Sequence, residues 1–175
     1  MQNEVSLDIR QNSAFHDKAI EQLLQASGAE EYDFGNWSEQ RRLEFLNDEL
    51  KSARPFTSLT ATMGPEAQAI VECYRVVAEH TRRFGTNCIG SFIVSMTRSV
   101  SDLLAVYLLA REVGLAEPGE EGMVAKIPVV PLLETIEDLE NGTQILRDFL
   151  AHPTTVRTLA TLKEKYGWRH PIQQV

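Results

Sequence analysis

Cysteine is scarce in this chain: Cys73 and Cys88 are the two in 175 residues. Two such thiols make no disulfide framework and no paired metal spacing, so they are expected to be reduced thiols of a cytoplasmic protein. Long apolar runs are missing as well. The run near the middle, Leu103 to Ala110, is far too short to span a bilayer. Met1-Gln-Asn-Glu has neither the basic start nor the apolar stretch of a secretory signal. Basic charge is in deficit, with 17 Lys and Arg against 25 Asp and Glu and a net charge of −8. That balance argues against nucleic acid as a partner, because phosphate backbones are bound by basic surfaces. It leaves room for a small anionic substrate, which needs only a locally positive pocket. Internal repeats, low-complexity tracts and domain boundaries are absent too, so residues 1–175 are expected to form a single segment.

What is present suits a soluble globular domain with a substantial core: 43% hydrophobic and 24% charged residues. The pattern is organised around Ile127 to Leu133, an apolar run that reads as a strand buried on both faces. Thr135 and Asp138 then form an [ST]-x-x-[DE] helix start, which places Glu134 on the turn between strand and helix. Two further strands are predicted, Glu4–Ile9 ending at Arg10 and Ile89–Met96. Ile172 to Val175 reads as the onset of a fourth. Pro128 and Pro131 count against a central place for the third strand, because each removes a ladder donor.

Helices are predicted from Ser13 to Ala26, from the Ser38 cap to before Arg54-Pro55, and from Pro65 to about His80. Another runs from the Ser99 cap to Gly114, so apolar that most of its circumference should be buried. Two more run from Thr135 to Leu150 and from Thr154 to Lys165. Residues 56–63 and 84–88 read as breaks, and Glu117 to Gly122 as an acidic, solvated loop. Strands alternating with helices imply a parallel sheet with crossovers, hence a helix-rich α/β fold with about three parallel strands.

Arg10, Met96 with Arg98, and Glu134 each lie by the C-terminal end of a predicted strand. Parallel strands would bring them to one mouth, the layout of a barrel active site. Arg10 suits a phosphate or carboxylate, since guanidinium offers a fixed fork of donors. Glu134 suits Mg2+ or Mn2+, hard ions that take one or two carboxylates plus substrate oxygens. The bland alternatives are a surface ion pair for Arg10 and a helix cap for Glu134. Arg41-Arg42 and Arg82-Arg83 read as solvated helix faces, and Asp102 as the capping-box partner of Ser99. His16, His80, His152 and His170 have no mutual spacing that makes a metal site, and Gly85 to Gly90 matches no phosphate loop.

Three segments in order, Leu7-Asp-Ile-Arg-Gln11, Ser95-Met-Thr-Arg-Ser-Val-Ser-Asp-Leu-Leu-Ala-Val106 and Val130-Pro-Leu-Leu-Glu-Thr-Ile-Glu-Asp-Leu139, carry a resemblance. The chain resembles the central part of bacterial- and plant-type phosphoenolpyruvate carboxylases over essentially its whole length. The resemblance implies a partial (β/α) barrel and carboxylation of phosphoenolpyruvate by bicarbonate, giving oxaloacetate and phosphate with Mg2+ or Mn2+. It further implies Glu134 as a metal ligand, Arg10 as a substrate-binding catalytic residue, and a homotetrameric family. The family's catalytic histidine would lie upstream of this stretch and its second metal ligand, an aspartate, beyond Val175. The isolated chain is therefore expected to be inactive. The competing expectation is a non-catalytic, α-rich interaction protein using the apolar helix Val100 to Leu109 as its partner surface.

Overall fold

The computed structural model describes residues 7–58, 61–85, 89–167, 169–170 and 172–175, and one helix lies at its centre. In chain order the elements are β1 (Leu7–Asn12), α1 (Ser13–Ser27), α2 (Glu39–Glu49) and α3 (Pro65–Phe84). Next come β2 (Ile89–Ser95), α4 (Val100–Arg111), β3 (Ala116–Gly119), β4 (Gly122–Ala125) and β5 (Val129–Pro131). α5 (Ile136–Ala151) and α6 (Pro153–Tyr166) close the order, and a 3-10 turn at Phe34–Asn36 separates α1 from α2.

α4 is apolar all round, and a helix without a polar face must lie inside. Every residue from Ser101 to Arg111 is buried, with α1, α2, α3, α5 and strands of both sheets packed about it. Burying each of Leu103, Leu104, Leu108 and Leu109 contributes about 1.5–3 kcal/mol. The rest of this same chain covers the helix, so the expected partner surface at Val100 to Leu109 does not exist.

Three parallel strands form the main sheet in the order β1-β2-β5. β2 is central, with Arg10 opposite Ile93 on one side and Phe92 opposite Val129 on the other. Parallel neighbours need crossovers, supplied by α1 to α3 between β1 and β2, and by α4 with the β3–β4 hairpin between β2 and β5. The described strands form no closed barrel. The class expected from the alternating pattern is the one observed, a helix-rich α/β fold with three parallel strands.

Several boundaries differ from expectation. β1 continues to Asn12, so Arg10 lies within the strand rather than ending it; the expected start at Glu4 falls outside the described residues. The third strand pairs over Val129–Pro131 alone. Pro131 is tolerated because the Leu132 N–H donates to Val94 O at 2.9 Å, which leaves the alternate position, at Pro131, facing away from β2. The expected acidic loop at Glu117 to Gly122 belongs to the antiparallel hairpin β3–β4, with Ala116 opposite Ala125. Its inward residues, Met123, Val124 and Ala125, are consecutive, which hid the alternation. Ile172 to Val175 forms no strand; Gln173 Nε2 donates to Val129 O and Ser91 Oγ to Gln174 Oε1, each at 2.8 Å.

Caps explain the helix starts. Asn12 accepts the Ala14 N–H, Ser38 the Arg41 N–H, and Thr135 with Asp138 forms a complete capping box. Ser99 makes no such bond. Glu39 of α2 takes its place at α4, accepting from the Ser101 N–H at 3.1 Å and the Ser101 hydroxyl at 2.6 Å.

Leu104 is fully buried in α4, so Leu104→Ala leaves a cavity and should cost about 2–5 kcal/mol of stability. Urea unfolding of the two proteins checks this; a loss under about 1 kcal/mol would mean α4 is not the packed centre.

Candidate active site at the strand ends

The C-terminal ends of β1, β2 and β5 meet as the sequence pattern anticipates. Thr135 and Asp138 close the start of α5, and the Asp138 carboxylate also accepts the Glu134 N–H at 3.3 Å. Capping is thereby done without the Glu134 side chain, which turns toward the sheet. Its Oε1 accepts from Arg10 Nη2 at 2.7 Å and its Oε2 from the Met96 N–H at 3.0 Å. One carboxylate thus joins all three strand ends.

Met96 is the one described non-glycine residue with positive φ, at 55°. A bulky side chain in the left-handed region costs roughly 1–2 kcal/mol, so the surroundings must hold it there. Ser13 Oγ donates to Met96 O at 2.8 Å, and Thr97 Oγ1 donates to Val94 O at 2.8 Å. Ser13 reads in the sequence only as a helix start; no motif marks it as the anchor of Met96.

The Arg10–Glu134 pair is exposed, 57% and 32% for the two side chains. An exposed pair contributes at most about 1 kcal/mol, so a ligand can displace it cheaply. Glu134 offers a cation a single carboxylate, and the described residues hold no cluster of three His, Cys, Asp or Glu able to bind a metal. On that donor set, these residues do not complete a metal site by themselves.

Arg98 is not at this mouth. Its Nη2 reaches Asp17 Oδ2 and Asp102 Oδ1, both at 2.8 Å. Arg42, expected on a solvated face, is buried and bridges the same two carboxylates at 2.5 and 3.0 Å, with its guanidinium 4.6 Å from the centre of the Phe34 ring. Asp102 is likewise no capping partner of Ser99; it accepts the Arg98 N–H at 2.8 Å inside this cluster. Burial pushes the Asp17 carboxyl up, while hydrogen bonding to Arg98 and the charge of Arg42 pull it down. Arg41 and Arg82-Arg83 do lie on exposed faces, paired with Glu31 and Glu79.

Three of the four histidines have partners within the fold. His16 lies buried with its Nε2 3.4 Å from the Tyr74 hydroxyl, and burial pushes its imidazole down to about 4. His152 caps α6 through Nδ1, and burial pushes it down to about 4 as well. His80 packs on Phe84, and His170 is exposed.

With this geometry in view, the relatives are informative. The phosphoenolpyruvate carboxylase family model matches residues 3–174. The phosphoenolpyruvate carboxylase of Rhodothermus marinus is 40% identical over 156 residues, covering 85% of this chain and 16% of that protein. That of a Synechococcus species is 34% identical over 173 residues, covering 99% of this chain and 16% of its own length. That of Mycolicibacterium paratuberculosis is 36% identical over 147 residues, covering 84% and 16%. The chain belongs to the phosphoenolpyruvate carboxylase family, whose members are carboxy-lyases. It spans about one sixth of the length of these relatives. No described helix is long and apolar enough to cross a membrane.

Two outcomes follow for the buried groups. Asp102→Asn leaves Arg42 and Arg98 short of a counter-charge and should cost about 3–5 kcal/mol in urea unfolding, whereas a loss below about 1 kcal/mol would show that water screens the cluster. The unfolded His16 takes its proton near pH 6.5 and the folded one only near 4, so below 6.5 the unfolded chain binds more protons. The stability tied to neutral His16, about 3 kcal/mol, is complete above pH 6.5 and lost as the pH falls to about 4. NMR titration of the His16 ring checks this, and a midpoint near 6.5 would contradict it.

Proposed function

We propose that this chain carries part of the active site of a phosphoenolpyruvate carboxylase, which adds bicarbonate to phosphoenolpyruvate and releases oxaloacetate and phosphate. In this reading the open three-stranded sheet is an arc of a larger (β/α) barrel, and residues 1–175 are one segment of its catalytic region. Arg10 holds the phosphate of the substrate and neutralises its charge as it transfers to bicarbonate. Glu134 is one oxygen ligand of a Mg2+ or Mn2+ ion. The remaining groups come from the parts of the relatives' length that this chain does not span.

The observation that supports this reading is the 2.7 Å Arg10–Glu134 pair at the C-terminal ends of parallel strands, held over a left-handed Met96. A guanidinium and a carboxylate that neutralise each other there leave both groups ready for ligands of opposite sign. An anionic phosphate takes the fork of Arg10 from Glu134, and the freed Glu134 oxygen is then open to a cation. The exposed pair stabilises the fold too weakly to be kept for that purpose. The competing interaction-protein reading loses its main support, because α4 is covered from within.

A coupled oxaloacetate assay with phosphoenolpyruvate, bicarbonate and Mg2+ tests the proposal. The 175-residue chain alone should show no turnover, and clear turnover would overturn the division of the site. In a full-length protein containing this segment, Arg10→Gln should lower kcat/KM by about 10²-fold or more. Glu134→Gln should raise the Mg2+ concentration needed for half-maximal rate. Wild-type kinetics in both variants would sink the assignment.

A further inference from the structure

A second concentration of charge lies at the far end of α4. The helix starts just past Met96 and runs 12 residues to Arg111, about 18 Å at the helical rise. There the C-terminal half of α3, the segment after α2, the β3–β4 hairpin and Lys165 of α6 line a cleft of about 1200 Å3. Six cationic side chains line it against three carboxylates, in a chain whose overall charge is −8.

Three of the six have partners within the protein. Arg82 pairs with Glu79 at 2.8 Å and Lys126 with Glu117 at 2.7 Å. Arg111 Nη1 donates to Glu49 O at 2.8 Å and to Glu49 Oε2 at 3.0 Å. Lys165 has its ammonium lowered, by burial first and by the charge of Lys126 second, so cations crowd one another at its rim. Arg54 and Arg75 make no ion pair among the described residues.

Two further polar groups in the lining are unsatisfied. Arg111 has its side chain fully buried, yet its Nε and Nη2 have no hydrogen-bond partner; Nη2 stays 3.6 Å from Glu112 Oε1. The Thr81 hydroxyl oxygen is buried without a partner as well. Buried donors left unmade cost more than exposed ones, so their presence beside two free guanidiniums points to a missing acceptor.

We propose that this cleft binds a small multivalent oxyanion, gripped by Arg54 and Arg75 and separate from the Arg10–Glu134 mouth. Guanidinium forks match phosphate and carboxylate oxygens equally, so the shared chemistry is an anion with at least two oxyanion groups. The inference is independent of the carboxylase reading, because it uses no residue of that site.

The test is titration of the 175-residue chain with inorganic pyrophosphate in one arm and citrate in the other, by calorimetry and NMR at matched ionic strength. Saturable binding in either arm, with shifts at Thr81 and at the Arg54 and Arg75 side chains, is expected; the stronger arm identifies phosphate or carboxylate chemistry. The double variant Arg54→Gln, Arg75→Gln should weaken binding about tenfold or more, while Arg10→Gln leaves it unchanged. A thermal melt of the double variant establishes that it is folded, as expected for substitutions of exposed and half-exposed side chains. No saturable binding in either arm, or equal weakening by Arg10→Gln, would overturn the proposal.

Discussion

Four clustered charges, the buried Asp17, Arg42 and Asp102 and the half-exposed Arg98, constrain how the elements of this fold pack. They come from α1, α2, α4 and the turn between β2 and α4, so one cluster holds four parts of the chain in mutual register. Removing an ion from water costs several kcal/mol, and only close geometry with complete pairing offsets it. Here each arginine reaches both aspartates at 3.0 Å or less. Such an arrangement adds little net stability over an apolar core, but it penalises any packing that separates the partners.

The strand-end mouth depends on that cluster through a short stretch of backbone. Arg98 donates both its N–H and its guanidinium to Asp102, which fixes the turn following Met96. Ser13, at the start of α1, holds the Met96 carbonyl, and Glu134, before α5, holds its amide. Met96 therefore stays in an unfavourable backbone region because three elements grip it at once. Buried charge sets the turn, the turn presents an amide, and the amide with Arg10 orients Glu134. The parts of the mouth that meet solvent are held by weak contacts, whereas the parts that position them are not.

The same helix connects this mouth to the cationic cleft. α4 has no polar face, so the chain has to wrap it on every side, and its two ends are where the wrapping stops. At the N-terminal end Glu39 accepts the Ser101 amide, and Asp102 of the first turn accepts the Arg98 amide just before the helix. The C-terminal end carries the negative pole of the helix, and cations collect around it. A uniformly apolar helix in an acidic chain thus produces two polar rims of different character.

Legibility in the sequence followed the range of the physics. α1, α3, α5 and α6 were readable within a few residues, because their apolar spacing and caps are local. So were the three parallel strands as a class, and the convergence of Arg10, Met96 and Glu134, since strand-to-helix order fixes which ends point together. The β3–β4 hairpin was not legible, because consecutive inward residues erased its period. Arg42 and Asp102 could not be told from surface charge and helix cap, because what makes them buried partners is an approach of α2 to α4 across 60 residues. By itself, then, the sequence determined the helices and the three parallel strands, their order, the central burial of α4 and the family. Tertiary structure alone decided which charges are buried and which carboxylate faces which arginine. Burial and Coulomb energy depend on distances in space, and chain-local spacing does not encode those distances.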